Sequence, residues 1–364
     1  MSRPSSRSSS RVAIRFTSPS PPPPLPPPKS KASSVSYALH VKVAACVSLI
    51  GVQLFASIVL KLATTNEGYD FSPQSSLVLS EFIKMVLSAL YVLRESRSFS
   101  ESMKQQSDVR LVLHLGGLAA LYCFNNGLMF WLFARADPGS ITLVKSGATV
   151  VSAVLLYFVR GLRLSACRWM VIVVQMLALV VAQYDGCAGQ AHLSSRVYCV
   201  LVLSLLNSSV ANVWNEQVVK QFEGSSLGVK NVYLYLFGAA LNVVAFVCTR
   251  LSDHKTPRFW QGYSLMAMCV VCSNAFMGIA INCVYKYADA LIKNIATSTT
   301  TVILVVLSAV LFRGRSNVMV FLGAGIVVVG TYLYFSLGVT EQRLQRLQQG
   351  FHRLKSGGES SDDS

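Results

Sequence analysis

The sequence predicts an all-α membrane protein of about ten transmembrane helices, arranged as two inverted five-helix repeats. Three observations carry this prediction. Of the 364 residues, 52% are hydrophobic and only 13% charged, and the mean hydropathy is +0.49, a balance foreign to soluble domains of this total length. Apolar runs of roughly 20 residues recur between short polar breaks. They lie near 41–63, 76–94, 110–134, 139–160, 167–184, 196–220, 231–251, 263–286, 290–312 and 318–337. Finally, Ala136-Asp137 precedes Arg160-Gly161 by 23 to 25 residues, and Ala288-Asp289 precedes Arg313-Gly314 by 24 to 26, with an apolar run between in each case. If runs one to five correspond to runs six to ten, the odd number per half turns the second copy over in the membrane. Secondary transporters recurrently use that architecture, with the substrate site near the midplane where the halves meet.

In chain order, residues 1–36 form a Ser/Arg/Pro-rich tail with the run Pro-Pro-Pro-Pro-Leu-Pro-Pro-Pro at 21–28. Such a segment cannot bury a core and is expected to be disordered with polyproline character. No acidic residue precedes Glu67, so the tail also reads as an organellar transit peptide, against which the prolines count by preventing an amphipathic helix. A transporter domain follows over 37–338, with repeats 37–186 and 194–338. Its hardest division is within 110–160, where Asp137, Pro138 and Gly139 are almost the sole interruption. Beyond it, 339–364 is a second tail. In TEQRLQRLQQGFHRLK the spacing of Leu344, Leu347, Phe351 and Leu354 predicts a short basic amphipathic helix at the membrane surface, followed by an acidic solvated end.

The net charge of +16 sits largely in tails and loops, where it attracts anionic headgroups and orients the chain, so nucleic acid is not an expected partner. The side holding both tails also holds Arg94, Arg97, Lys104, Arg110, Arg160, Arg163, Arg168, Lys220, Lys230 and Lys286. Fewer lie opposite: Arg135, Arg196, Arg250, Lys255, Arg258, Arg313 and Arg315. The positive-inside rule therefore expects cytosolic termini. Nine cysteines fall mostly in apolar runs without disulfide-framework or zinc spacing, and the Cys269/Cys272 pair reads as helix packing. The sequon at Asn207 lies inside a span, away from glycosylation machinery.

Polar residues within the spans are the informative ones. A lysine deep in a span costs about 2.5 to 3.5 kcal/mol, and three cost roughly 8 to 10 if unrelieved. For Lys220, four residues after Glu216, snorkelling or an ion pair accounts for the charge. Lys84 has Glu81 three residues before it on the same face. Lys145 and Lys293 have no carboxylate one turn away; Asp289, four residues before Lys293, reads instead as a residue at the span mouth. Both lysines are flanked by small hydroxyl or glycine residues, which let helices approach and leave room for a polar cavity. Such a cavity wants an anion, and phosphate is the common one. Asn125 and Asn126 admit two readings, helix clamping or cavity lining. Asn231 and Tyr235, at i and i+4, share a face and read either as a nucleobase seat or as an interfacial Tyr with an end-capping Asn.

Taken together, Glu81-Phe-Ile-Lys84, Asn125-Asn126, Lys145, Asn215-Glu-Gln-Val-Val-Lys220, Lys230-Asn-Val-Tyr-Leu-Tyr235 and Lys286-Tyr-Ala-Asp-Ala-Leu-Ile-Lys293 resemble the nucleotide-sugar transporters. More narrowly, the chain is similar to the branch carrying CMP-sialic acid, UDP-galactose and UDP-N-acetylglucosamine, within the drug/metabolite transporter superfamily, over about residues 40–337. The resemblance implies a multi-pass exchanger of the Golgi or endoplasmic reticulum that moves a cytosolic nucleotide sugar inward against luminal nucleoside monophosphate, without a cofactor. A homodimer is compatible with it. It implies that Lys145 and Lys293 stand at the phosphate end of the site, Lys84, Asn231 and Tyr235 around the nucleoside, and Asn126 between, with Asn125 beside it. Before Lys145, many relatives carry Tyr-Gln where this chain has Asp137-Pro-Gly-Ser140. No nucleotide-hydrolysis loop, nucleophile triad or metal cluster points to an enzyme. Two other readings remain: a plastid-envelope sugar-phosphate/phosphate translocator, and a non-transporting regulatory membrane protein of the same fold.

Overall fold

A computed structural model of the chain describes residues 31–63, 70–95, 98–133, 135, 141, 144–145, 147–182, 194–252, 257–311 and 318–359. Two units are separable along the chain, Met1–Leu39 and His40–Ser364, the second holding all helices after the first turns of α1. Among the described residues the regular structure is helical: α1 (Lys31–Leu62), α2 (Pro73–Glu95), α3 (Phe99–Gln106), α4 (Val109–Phe133), α5 (Ala148–Arg160), α6 (Ala166–Ala182), α7 (Ser195–Gln221), α8 (Leu227–Ser252), α9 (Leu265–Tyr287), α10 (Ala290–Leu311) and α11 (Val318–Glu359).

Among the described residues, seven helices contain stretches long and apolar enough to cross a membrane: His40–Leu60, Pro73–Glu95, Val109–Met129, Ser195–Gln221, Leu227–Ser252, Leu265–Tyr287 and Phe321–Gly338. Two shorter apolar helices, α5 and α6, stand at expected spans. In the span expected over 139–160, Ile141, Val144 and Lys145 are helical, and α5 follows from Ala148, after Gly147. At its other end Gly161 adopts φ 63°, the left-handed value a glycine tolerates, and its N–H returns to the Tyr157 carbonyl. The sequence reading did not anticipate α3. It starts on a capping signature, Ser98-Phe-Ser-Glu101, in which the Ser98 hydroxyl accepts the Glu101 N–H at 3.4 Å. The stretch expected as a separate surface helix after 339 is instead continuous with the last span in α11. Most of the Ser/Arg/Pro tail, Ala136 to Ser140, and Arg313-Gly314 of the internal repeat lie outside the described residues.

Packing follows from apolar faces with small residues at crossings. The most extensive interfaces are α2 with α8 and α6 with α11, followed by α4 with α8 and α7, and α2 with α9. One core cluster joins several helices near the α9–α10 turn, through Leu156, Val219, Val284, Tyr285, Leu291 and Ile295. A second, around Leu111, Leu115, Leu118, Ala211 and Leu234, joins α4, α7 and α8. Many large apolar side chains remain exposed, including Phe158, Leu177, Val244 and Tyr332. On a soluble protein so much apolar surface would mark association, whereas here it is what bundled helices turn toward lipid.

Candidate functional site

Between these helices lies a cavity of about 470 Å³, within the roughly 300 to 1,000 Å³ typical of small-molecule sites. Its wall is polar to a degree that apolar helices do not supply by accident. The charged lining residues are Glu81, Lys84, Lys145 and Lys293, accompanied by Tyr122, Tyr235, eight asparagines and several Ser and Thr hydroxyls.

Six of the seven residues singled out in the sequence line this cavity: Lys84, Asn125, Asn126, Lys145, Tyr235 and Lys293. Asn231 does not. It shares the Tyr235 face, as its i, i+4 spacing requires, but Asn282 from α9 stands between it and the space. The Asn282 amide donates to Asn231 Oδ1 and to the Tyr235 hydroxyl, each at 2.8 Å. Asn282 Oδ1 in turn accepts from Asn215 at 2.9 Å, and Asn215 also donates to the Tyr122 hydroxyl at 3.0 Å. The nearby Tyr285 hydroxyl donates to Asn212 at 2.8 Å. This ladder, drawn from α4, α7, α8 and α9, fixes side chains that cavity contents would meet, because a buried amide without partners costs about 1 to 3 kcal/mol.

The lysines fall into two kinds. Lys84 is ion-paired, its Nζ 2.7 Å from Glu81 Oε1, and it also lies 5.3 Å from the centre of the Tyr235 ring. The i, i+3 spacing on α2 makes that pair local, and it removes Lys84 from the count of free cations expected from sequence. Lys145 and Lys293 are half-buried, and among the described residues neither has an ion-pair partner. Asp289, the carboxylate nearest Lys293 in sequence, is occupied at the start of α10, where Oδ1 accepts the Ile292 N–H at 2.9 Å. Asn294 donates to Ser152 Oγ at 3.1 Å and to the Ala148 carbonyl at 3.4 Å, tying α10 beside Lys293 to α5 just after Lys145.

The Thr-rich run of α10 divides by face. Thr297, Ser298 and Thr301 line the cavity, while Thr299 and Thr300 are buried. Gln53 of α1 donates to Thr297 Oγ1 at 3.2 Å and accepts from Thr300 at 3.0 Å, and Thr299 meets Thr331 at 2.9 Å. Asn125 accepts from Ser204 at 3.1 Å, so it both lines the space and clamps α7. Beside the α9–α10 turn, Glu216 is fully buried. Its carboxylate receives Arg160, Lys220 at 2.8 Å and the Ala290 N–H at 2.8 Å, while Lys220 also donates to the Ala288 carbonyl. Of the two readings of Lys220, the ion pair with Glu216 is the one present, as part of a junction of α5, α7 and the α9–α10 turn.

Sequence reasoning missed Tyr122, Asn212, Asn242, Asn274, Asn282 and Asn294 as lining residues. The available signal was simple: each is an isolated amide or phenol inside an otherwise apolar run, where hydrocarbon offers it nothing. Arg160 was counted as a loop charge, and no pattern in the chain places it on Glu216. The sequon residue Asn207 lies within α7, donating to the Leu121 carbonyl at 3.0 Å. The described residues contain no group of His, Cys, Asp and Glu able to hold a metal.

Comparison with known proteins agrees with this geometry. A family model described as nucleotide-sugar transporter matches residues 37–335. CMP-sialic acid transporter 4 of Arabidopsis thaliana is 27% identical over 269 residues, 73% of this chain and 76% of its own. CMP-sialic acid transporter 1 of Oryza sativa subsp. japonica is 26% identical over 291 residues, 76% of this chain and 89% of its own. A crystal structure covering 85% of this chain and 99% of its own superposes with TM-score 0.63 at 16% identity, a likeness of fold. A multi-pass helical protein with a cationic, amide-lined cavity and a family match over most of its length belongs to the nucleotide-sugar transporter family, whose members are transporters and not enzymes.

Proposed function

We propose that this protein exchanges a nucleotide sugar, of the UDP-sugar or CMP-sialic acid type, for a nucleoside monophosphate by alternating access. The single observation that carries the reading is the pair of unpaired lysines, Lys145 and Lys293, in one cavity whose only lining carboxylate among the described residues already neutralises Lys84. A nucleotide sugar and the returning monophosphate both carry about two negative charges, given a second phosphate pKa near 6. Either one balances the two cations, whereas the empty cavity leaves them uncompensated, so a loaded carrier reorients more easily than an empty one. On this reading the phosphates lie at Lys145 and Lys293, the base lies against Tyr235 with the Asn231–Asn282 ladder behind it, and Asn125 and Asn126 line the space between.

The inverted-repeat architecture belongs to the same proposal. Numbering the ten long elements in order and omitting α3, the second packs on the seventh, the fourth on the ninth and the fifth on the tenth, each on its own counterpart. The third packs on the seventh, mirrored by the eighth on the second. Such self-paired contacts are what an i to i+5 pseudo-twofold requires. Lys145, just before the fourth element, and Lys293, within the ninth, then enter from opposite halves. With the tail-side loops richer in Lys and Arg, the termini are cytosolic, and the family resemblance makes the membrane that of the Golgi or endoplasmic reticulum. The relatives' naming for CMP-sialic acid makes a CMP-linked sugar the first substrate to try.

The test is purified protein in liposomes preloaded with UMP, CMP or inorganic phosphate and offered labelled nucleotide sugars or labelled sugar phosphates. Uptake that depends on an internal nucleoside monophosphate is the expected result. Uptake of sugar phosphate against phosphate alone would favour the translocator reading, and no exchange with any pair would sink the proposal.

A further inference from the structure

We infer that Glu81 sets the charge selectivity of the cavity: by neutralising Lys84 it holds the free cationic charge at two, so dianionic nucleotides are accepted and trianionic nucleoside diphosphates are rejected. This rests on the reading of the cavity as a nucleotide site and deepens it by assigning a residue to the choice among nucleotides.

Among the described residues the cavity wall holds three lysines and one carboxylate. Without Glu81 the count would be three free cations, and the anion best balanced would be a trianion. Glu81 is not needed as a tie between helices. Its partner is three residues away on its own helix, and among the described residues no hydrogen bond from either side chain to another helix accompanies the ion pair. Glu216 differs, gathering groups from α5, α7 and the start of α10. The neighbours of the Glu81–Lys84 pair are pared down to admit it. A Cβ on Gly278 would lie 2.7 Å from Lys84 Cε, and one on Gly238 would lie 3.0 Å from Glu81 Oε2. The two side chains are 15% and 11% exposed, so water screens them poorly and their charges count in full for whatever shares the space.

The ligand chemistry matches. A sugar esterified to a nucleoside diphosphate carries two charges, as does an acidic sugar on a nucleoside monophosphate, through one phosphodiester and one carboxylate. A free monophosphate is close to a dianion. A free diphosphate is close to a trianion, and its third charge would be buried without a partner, which is costly.

The experiment compares wild type, Glu81→Gln, Lys84→Gln and the double variant in liposomes loaded with whichever monophosphate supports exchange. Uptake of labelled monophosphate and diphosphate of the same base is measured side by side. The expected free-cation balances are two, three, one and two. The wild type should strongly prefer the monophosphate, and Glu81→Gln should raise the diphosphate-to-monophosphate ratio about tenfold. The double variant should restore the wild-type ratio, and Lys84→Gln should weaken uptake of both. Equal uptake of the two nucleotides by the wild type overturns the inference without recourse to any variant, and so does an unchanged ratio in folded Glu81→Gln. No exchange of any nucleotide by the wild type overturns the transport reading with it, whereas monophosphate exchange with an unaltered ratio overturns only the charge rule.

Discussion

Around Glu216, one buried carboxylate meets Arg160, Lys220 and a backbone N–H, whereas Lys145 and Lys293 face a cavity in which no described carboxylate is left to meet them. Both regions place ions among apolar helices, and both incur desolvation. The difference lies in where the compensation comes from. At Glu216 it is internal, from elements that must come together for the chain to fold. At the lysines it comes from outside, from an anion that the site can hold and release. A membrane charge with internal partners is architecture, and one without them is a binding site.

That contrast can be broken by exchanging the roles. The largest effect is expected at Glu216→Ala, which strands Arg160 and Lys220 and should lower stability by about 3 to 5 kcal/mol, read as a fall in thermal unfolding midpoint in detergent. A variant as stable as wild type would make the junction ornamental. Next, Lys293→Ala and Lys145→Ala should each abolish exchange, a drop of at least roughly a hundredfold or about 2.7 kcal/mol, while the unfolding midpoint holds or rises because an uncompensated charge is removed. Near-normal uptake by either would show that lysine to be a snorkelling residue. Asn282→Ala removes the donor shared by Asn231 and Tyr235 and should cost about 1 to 3 kcal/mol, divided between stability and apparent substrate affinity, so KM should rise more than maximal rate falls. The smallest effect is expected at Glu341→Gln. It breaks the 2.6 Å ion pair with Arg168 between α6 and α11, near the surface, where such pairs contribute up to about 1 kcal/mol. A large loss there would show that the α6–α11 end is held as tightly as the Glu216 junction.

The cavity was largely legible in the chain because intramembrane polar residues are rare enough to stand out one at a time. Lys84, Asn125, Asn126, Lys145, Tyr235 and Lys293 could each be found that way, and each lines the same space. Asn231 was found but lies a layer back, since a shared helix face says nothing of what the next helix interposes. The reading of Lys84 as a cation near the nucleoside could not weigh Glu81 properly: i, i+3 spacing permits an ion pair, and only packing against Gly238 and Gly278 shows it closed. Likewise, Asp289 is adjacent enough to Lys293 to be its partner, and it is a helix cap instead. Short helices were the weakest inference, as α3 shows, because eight mostly polar residues in a loop leave no mark in hydropathy.

By itself the sequence determined that the chain is helical, that it crosses a membrane many times, and which few residues carry charge or amides into the apolar layer. These are local properties, set by run length against bilayer thickness and by the cost of each polar group in hydrocarbon. Tertiary structure alone decided which of those charges are satisfied. Arg160 and Glu216 are 56 positions apart, and Gln53 reaches Thr297 across 244. Whether a lysine is free depends on what helices remote in the chain bring beside it, and no local pattern encodes that.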